Sequence, residues 1–239
     1  MDRSLSNKPQ IISKQYLIPF FLVGLLFPLW GFANDITNPL VAAFKNILLI
    51  SHFESALVQF AFYGGYCLMA IPAAIFIKRF NYKQAILMGL ALYSIGCFLF
   101  IPAGKMMVFE AFLVAYFIMT CGLSFLETSA NPYILSMGDE STATQRLNFA
   151  QAFNPLGSLT GMFVAKEFIL AQLNPASETS RLELAQNDPD AFSQLQQNDL
   201  NVIVDPYLIL GIVVGVVFFI FLFSKLPGSN SSDESKLDL

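Results

Sequence analysis

The sequence predicts an all-α membrane protein with six transmembrane helices. Three observations predict it. Charged residues make up 13% of the 239-residue chain, whereas a soluble domain carries about 25%. Hydrophobic residues make up 55%, gathered into long blocks of the roughly 20 residues needed to cross the hydrocarbon core. Within those blocks polar and apolar residues do not alternate, which excludes an outer-membrane barrel.

The elements follow in chain order. Residues 1–15 form a polar N-terminal segment carrying Arg3, Lys8 and Lys14. The apolar block after it is too long for a signal-peptide core and lacks a small-residue cleavage site, so it reads as the first span, about 16–43. Further spans are expected at about 55–77, 84–103, 107–137, 145–170 and 206–224. The stretch 171–205 is acidic and polar, with Glu178, Glu183, Asp188, Asp190, Asp199 and Asp205 around a single Arg181, and reads as an extracytoplasmic connection in which the sequence allows, but does not demand, a short helix. Residues 226–239, rich in Ser and acidic residues, have the composition of a disordered cytoplasmic tail. No repeat of 20–50 residues is visible.

Orientation follows from the basic residues. With the N-terminus in the cytoplasm, Arg3, Lys8, Lys14, Lys78, Arg79, Lys83, Arg146, Lys225 and Lys236 lie inside. Lys45, Lys105, Lys166 and Arg181 lie outside. This bias favours cytoplasmic N- and C-termini.

Composition also excludes function classes. A net charge of −4 and the lack of a basic run argue against nucleic acid as a partner. Cys67, Cys97 and Cys121 lie inside apolar blocks without metal-ligand spacing and read as small packing residues. The single histidine, His52, is not part of a His-Glu-x-x-His motif, so a membrane metalloprotease has no support. No nucleophile–base constellation appears, and no enzyme is expected.

The informative residues are the polar ones inside the spans. Glu127 lies in Cys121-Gly-Leu-Ser-Phe-Leu-Glu-Thr-Ser-Ala-Asn-Pro132, about 15 Å from the inner end of its helix and close to the bilayer midplane. A carboxylate there costs several kcal/mol unless it is paired, protonated or faces a water-filled cavity. Asn131 follows one turn later. In the first span, Asn34, Asp35 and Asn38 are three and four residues apart and share a helix face, and Pro39 removes a backbone hydrogen bond. Asp35 stands roughly 27 Å above the inner end. In the second span Gln59 and Tyr63 are one turn apart, with Tyr66 close by. In the fifth, Asn148, Gln151 and Asn154 recur every three residues as a stripe of amides. Amides both donate and accept, so such a stripe matches the mixed hydroxyl edge of a sugar. The competing reading is that these groups only bond helices to one another. Arg146, at the start of the fifth span, reads as an anchor for the preceding loop.

Four segments carry a family resemblance: Leu29-Trp-Gly-Phe-Ala-Asn-Asp-Ile-Thr-Asn-Pro39, Gln59-Phe-Ala-Phe-Tyr-Gly-Gly-Tyr66, Leu126-Glu-Thr-Ser-Ala-Asn-Pro132 and Arg146-Leu-Asn-Phe-Ala-Gln-Ala-Phe-Asn154. Over about residues 16–225 the chain resembles the N-terminal half of the fucose:proton symporter family within the major facilitator superfamily. The resemblance implies a single six-helix bundle, the first of two, in a bacterial inner membrane. It also implies alternating access, with L-fucose or a related hexose and protons as substrates. No cofactor is implied beyond the proton as coupling ion; the expected partners are sugar, proton, lipid bilayer and a C-terminal six-helix half. Glu127 is implied in sugar recognition and proton coupling, and Gln59, Gln151 and Asn154 in sugar binding. Asn38, Tyr63, Asn131 and Asn148 complete the candidate substrate set.

The chain departs from the family in two places. The family's first-span acid falls on Asn38, whereas an acid stands three residues earlier at Asp35. The basic residues of Ile77-Lys-Arg-Phe-Asn-Tyr-Lys83 lack the acid usual between the second and third helices. The alternative to transport is a membrane interaction or assembly protein whose polar groups only join helices. If Asp35 supplies the first-span acid, Asp35→Asn is expected to abolish proton-driven sugar uptake, and unchanged coupling in that variant rejects the role.

Overall fold

The computed structural model describes residues 11–227. The start of the N-terminal segment and the polar tail beyond Pro227 lie outside the described residues. The described chain is helical, and its helices build six membrane-crossing passes.

The first pass runs from a 3₁₀ turn at Lys14–Tyr16 through α1 (Leu17–Gly24), α2 (Leu26–Thr37) and α3 (Leu40–Leu48). Its breaks follow from proline chemistry. Pro28 and Pro39 have no N–H to donate to the preceding turn, and α2 gives way to α3 at Asn38-Pro39. The Thr37 hydroxyl bonds the Ala33 carbonyl at 2.7 Å beside that break. The next three passes are long single helices: α4 (His52–Arg79), α5 (Tyr82–Met106) and α6 (Phe109–Leu135). Ser51 and Glu54 start α4 with a reciprocal capping box, which satisfies two free N–H groups. Asn81 caps α5 through the Gln84 N–H.

Two passes differ from the sequence reading. The fifth, expected as one helix over 145–170, is divided into α7 (Ala143–Gln151), α8 (Asn154–Val164) and a π-helical turn at Ala165–Leu170. Pro155, near the start of α8, explains the first break, because it leaves the carbonyl one turn back without its helical donor. Five other segments are long and apolar enough to cross a membrane; this one is not continuous. The stretch 171–205, where the sequence allows a short helix, is a largely helical cap. It holds α9 (Glu178–Asn187) and the first part of α10 (Pro189–Phe223). The local signals are Ser177 as N-cap of α9, and Asp188 followed by Pro189 opening α10.

Ion pairs and amides seat this cap on the end of the bundle. Lys45 on α3 donates to Glu178 at 2.6 Å, and this bond holds the Glu178 carboxyl below its ordinary range. Arg181 and Asp199 form a buried pair at 2.5 Å. The Asn174 N–H bonds the second oxygen of Asp199 at 2.9 Å. Gln196 and Gln197 donate to the carbonyls of Ile47 and Gly104. Removing one partner of such a buried pair leaves an uncompensated charge, a cost of about 3–5 kcal/mol.

Within the bundle, α6 is central. In its most apolar stretch 67% of residues are buried, against 28% in α4 and α10. The main packings join α5 to α6, α4 to α6, α2 to α8 and α5 to α10. Thus the first pass pairs with the fifth, the second with the fourth and the third with the sixth. Exchanging passes 1–3 with passes 4–6 leaves these three pairings unchanged, but the most extensive packing, α5 on α6, joins passes three and four and has no comparable counterpart between passes six and one. Asn-Pro steps occur at Asn38-Pro39, Asn131-Pro132, Asn154-Pro155 and Asn174-Pro175, and only the first two lie in passes that this exchange relates.

Close approach between helices needs glycine at two contacts. A Cβ on Gly122 of α6 would sit 2.5 Å from the Gly89 carbonyl of α5. A Cβ on Gly157 of α8 would fall onto the Pro28 carbonyl of α2. In lipid, where apolar burial drives little helix association, such backbone contact supplies much of the packing energy. Aromatic contacts add to it near the cap. Phe100 stacks on Tyr207 with centroids 3.9 Å apart, and the Tyr207 hydroxyl lies 3.0 Å from that of Tyr116 and 3.3 Å from that of Thr37.

Gly157→Val is expected to separate α2 from α8 and lower stability by about 1–3 kcal/mol or more, read as a lower thermal unfolding midpoint in detergent. Gly64→Ala, where a Cβ meets nothing within 4 Å, is expected to leave the midpoint unchanged or raise it.

Candidate functional site

Four passes converge on Glu127. It lies on α6, with Asn131 one turn further along. Across from it α2 presents Trp30, Gly31 and Asn34. From the second side α4 presents Phe62, Tyr63 and Tyr66. The break between α7 and α8 brings Gln151, Asn154 and Ser158. Glu127 lines three adjoining hollows. The first, of 370 Å³, is shared with Trp30, Asn34, Tyr63, Tyr66, Asn154 and Ser158. The second, of 640 Å³, includes Tyr63, Tyr66, Ser124, Thr128 and Asn131. The third, of 290 Å³, includes Trp30, Asn131, Gln151 and Asn154. Small-molecule sites typically measure roughly 300–1,000 Å³.

The polar groups here are only partly committed. Among the described residues the Glu127 carboxylate forms no hydrogen bond or ion pair, and Asn131 Oδ1 is buried without a partner. The Trp30 indole N–H donates to the Leu123 carbonyl at 3.3 Å, which fixes the ring against α6, and the ring also packs edge-on against Phe27 at 4.7 Å. Asn154 donates to the Phe27 carbonyl at 3.2 Å. That bond uses one amide hydrogen and leaves the carbonyl oxygen of the side chain for the hollow. The site therefore offers a carboxylate, free amide acceptors and donors, and aromatic faces. This set matches a neutral polyol that presents hydroxyls on its edge and C–H groups on its face.

The structure brings together five of the residues named from sequence: Glu127, Tyr63, Asn131, Gln151 and Asn154. Four others lie apart from the three hollows. Asn38 accepts a hydrogen bond from Gln59 at 2.8 Å, joining the end of the α2 pass to α4. It continues the Trp30–Asn34–Asn38 face one turn beyond the hollow. Asp35 is half-buried, one residue round the helix from Asn34, whose amide nitrogen lies 3.5 Å from its carboxylate. Asn148 is exposed on α7, and the stripe it begins is interrupted at the end of that helix.

Trp30, Asn34, Tyr66 and Ser158 line the hollow without having been assigned to it from sequence. Their signal was present as steps of four residues: Trp30 and Asn34 precede Asn38 by two turns and one, and Ser158 follows Asn154 by one. Arg146 anchors as expected. It is fully buried and donates to the carbonyls of Ile134, Leu135, Asp139 and Ile11 and to the Thr142 hydroxyl. It thereby closes the end of α6.

Six helical passes hold a polar hollow at membrane depth. The chain belongs to the Major Facilitator Superfamily, whose model matches residues 20–237. Among individual proteins it is similar to an L-fucose-proton symporter of Haemophilus influenzae, with 53% identity over 91% of this chain and 51% of the relative. An L-fucose-proton symporter of Escherichia coli is 35% identical over 93% of this chain and 50% of that protein. A glucose/galactose transporter of Brucella abortus is 32% identical over 94% and 50%. The crystal structure of the Major Facilitator Superfamily transporter FucP in its outward conformation superposes with a TM-score of 0.78 at 35% identity, covering 90% of this chain and 51% of that one. The chain spans about half the length of the relatives it matches.

A water-filled hollow can be tested by thiol chemistry, because the reactive thiolate forms only where water reaches it. With Cys67, Cys97 and Cys121 replaced, Glu127→Cys is expected to react with a hydrophilic thiol reagent at least about tenfold faster than Leu159→Cys, whose wild-type side chain is 63% exposed on the apolar surface of α8.

Proposed function

We propose that this chain forms one six-helix wall of a proton-coupled sugar carrier, with L-fucose or a related hexose as substrate. The observation that carries the reading is the unpartnered Glu127 carboxylate among amides and aromatic rings in a hollow at membrane depth. L-Fucose is favoured over glucose or galactose by the names of the two relatives with the higher identities. In this reading Glu127 accepts hydrogen bonds from sugar hydroxyls, with Asn131, Gln151 and Asn154 beside it and Tyr63 offering a ring face. Protonation of Glu127 removes a charge that is costly to carry through a closed state. Sugar and proton together then favour the conformation to which both bind better. Asp35 acts as the second acid, from outside the hollow, and Asn38 and Gln59 adjust the mouth above it.

The relatives are about twice as long as this chain, and the reading includes a second six-helix bundle facing the Glu127 hollow. The location is a bacterial inner membrane with both termini cytoplasmic. Arg146 and Arg181, both bound internally, carry little weight in the positive-inside comparison, and the remaining basic residues keep the same bias.

The chain has one tryptophan, and it lines the hollow, so its emission reports the site alone. L-Fucose is expected to quench or shift Trp30 emission. Glu127→Gln is expected to weaken the apparent affinity by about tenfold or more, as loss of a hydrogen bond to a charged group would. Proteoliposomes holding the chain together with its second bundle are expected to take up L-fucose when a pH gradient is imposed, and the same variant to lose the dependence on that gradient. No response of Trp30 to L-fucose, glucose or galactose would favour the membrane-assembly reading.

A further inference from the structure

We propose that the end of the bundle where the lead-in to α1 meets the exit of α10 binds the anionic headgroup of a phospholipid between Lys14 and Lys225. The two lysines are distant in sequence but line one hollow of 510 Å³, with Ile18, Pro19 and Leu226 among its walls. Both are exposed, and among the described residues neither forms an ion pair. Among the described residues the lining contains no carboxylate. Asp139, at the same end of the bundle, has its carboxylate engaged by the Ser141 N–H and hydroxyl at 2.9 and 2.6 Å. Those bonds hold its carboxyl below the ordinary range.

The two segments that carry these lysines are held in place. Lys83 donates to the carbonyls of Leu222 and Ser224 at 3.0 and 2.7 Å. The Tyr133 hydroxyl donates to the Pro227 carbonyl at 2.8 Å. Lys225 is therefore fixed between two anchors. On the other side the buried Arg146 donates to the Ile11 carbonyl at 3.2 Å, three residues before Lys14. The hollow opens beside an exposed apolar surface that includes Ile18 and Phe223, 73% and 80% exposed. A site with two ammonium groups above an apolar wall at a membrane boundary selects an anionic amphiphile. The ammonium groups take the phosphate, and the wall takes the upper acyl chain. The proposal depends on the membrane reading of the fold and not on sugar transport.

The test is native mass spectrometry of the full chain in detergent, titrated with phosphatidylglycerol, phosphatidylcholine or inorganic phosphate. Phosphatidylglycerol is expected to bind roughly tenfold more tightly than phosphatidylcholine, in line with the attraction of two lysines. Lys14→Gln with Lys225→Gln is expected to erase that preference. Lys105→Gln, an exposed lysine outside this hollow, is expected to leave it intact. Millimolar inorganic phosphate is expected not to displace the lipid. Equal binding of the two lipids, retention of the preference in the double variant, an equal loss with Lys105→Gln or displacement by free phosphate would each overturn the proposal. Both lysine side chains are exposed, so the thermal midpoint of the double variant is expected to match that of the wild type; a lowered midpoint would instead assign the lysines to packing.

Discussion

A carboxylate without an internal partner, set in the most buried helix of a membrane bundle, is the constraint on which the rest of this structure depends. Glu127 cannot be left in hydrocarbon without a cost of several kcal/mol. Among the described residues the surrounding helices do not offer it a cation; they leave a polar hollow open beside it. Of the groups around that hollow, Trp30 and Asn154 are tied to backbone carbonyls, Asn34 reaches Asp35, and Asn131 is left with spare hydrogen-bonding capacity. A protein that used these residues only to join helices would be expected to pair them with one another.

Keeping the hollow open requires rigid walls. Backbone-to-backbone contact at Gly122 and Gly157 locks α5 to α6 and α2 to α8. The Arg146 bonds close one end of α6; at the other end of the bundle the Arg181–Asp199 pair ties α9 to α10 within the cap, and Lys45 of α3 holds the cap through Glu178. Neither arginine is available to neutralise Glu127. The breaks at Pro39 and Pro155 work in the opposite sense. They interrupt the ladder of backbone bonds near the polar residues and give those passes places to bend. Rigid pairs joined at such interruptions are the mechanical elements that a rocking carrier needs.

Much of this was legible in the sequence because lipid imposes strong rules. A run of apolar residues of membrane length has few alternatives to a helix, so five passes were clear. The importance of Glu127 followed from its cost alone. The fifth pass was harder, because hydropathy does not register that Pro155 splits a helix whose two parts remain nearly collinear in sequence. The 171–205 cap was only partly legible, for a different reason. Its stability comes from Arg181 meeting Asp199 and Lys45 meeting Glu178, contacts between residues far apart in the chain, while its composition is that of a solvated loop. At the site, helical spacing placed Asn131 beside Glu127, and Gln151 and Asn154 on one polar stripe. It did not show that Asn34 rather than Asp35 faces the hollow, because adjacent residues differ by about 100° around a helix. The pairing of the passes was hidden as well, since it depends on packing between distant segments that no visible repeat marks.

The central claim is that Glu127 is a chemically accessible carboxyl that exchanges a proton and meets sugar. Infrared difference spectroscopy of the protein in lipid tests it most directly. The account predicts a carboxyl band that titrates with pH, shifts when L-fucose is added and is absent in Glu127→Gln. A Glu127 carboxyl band that responds to neither pH nor sugar would contradict it.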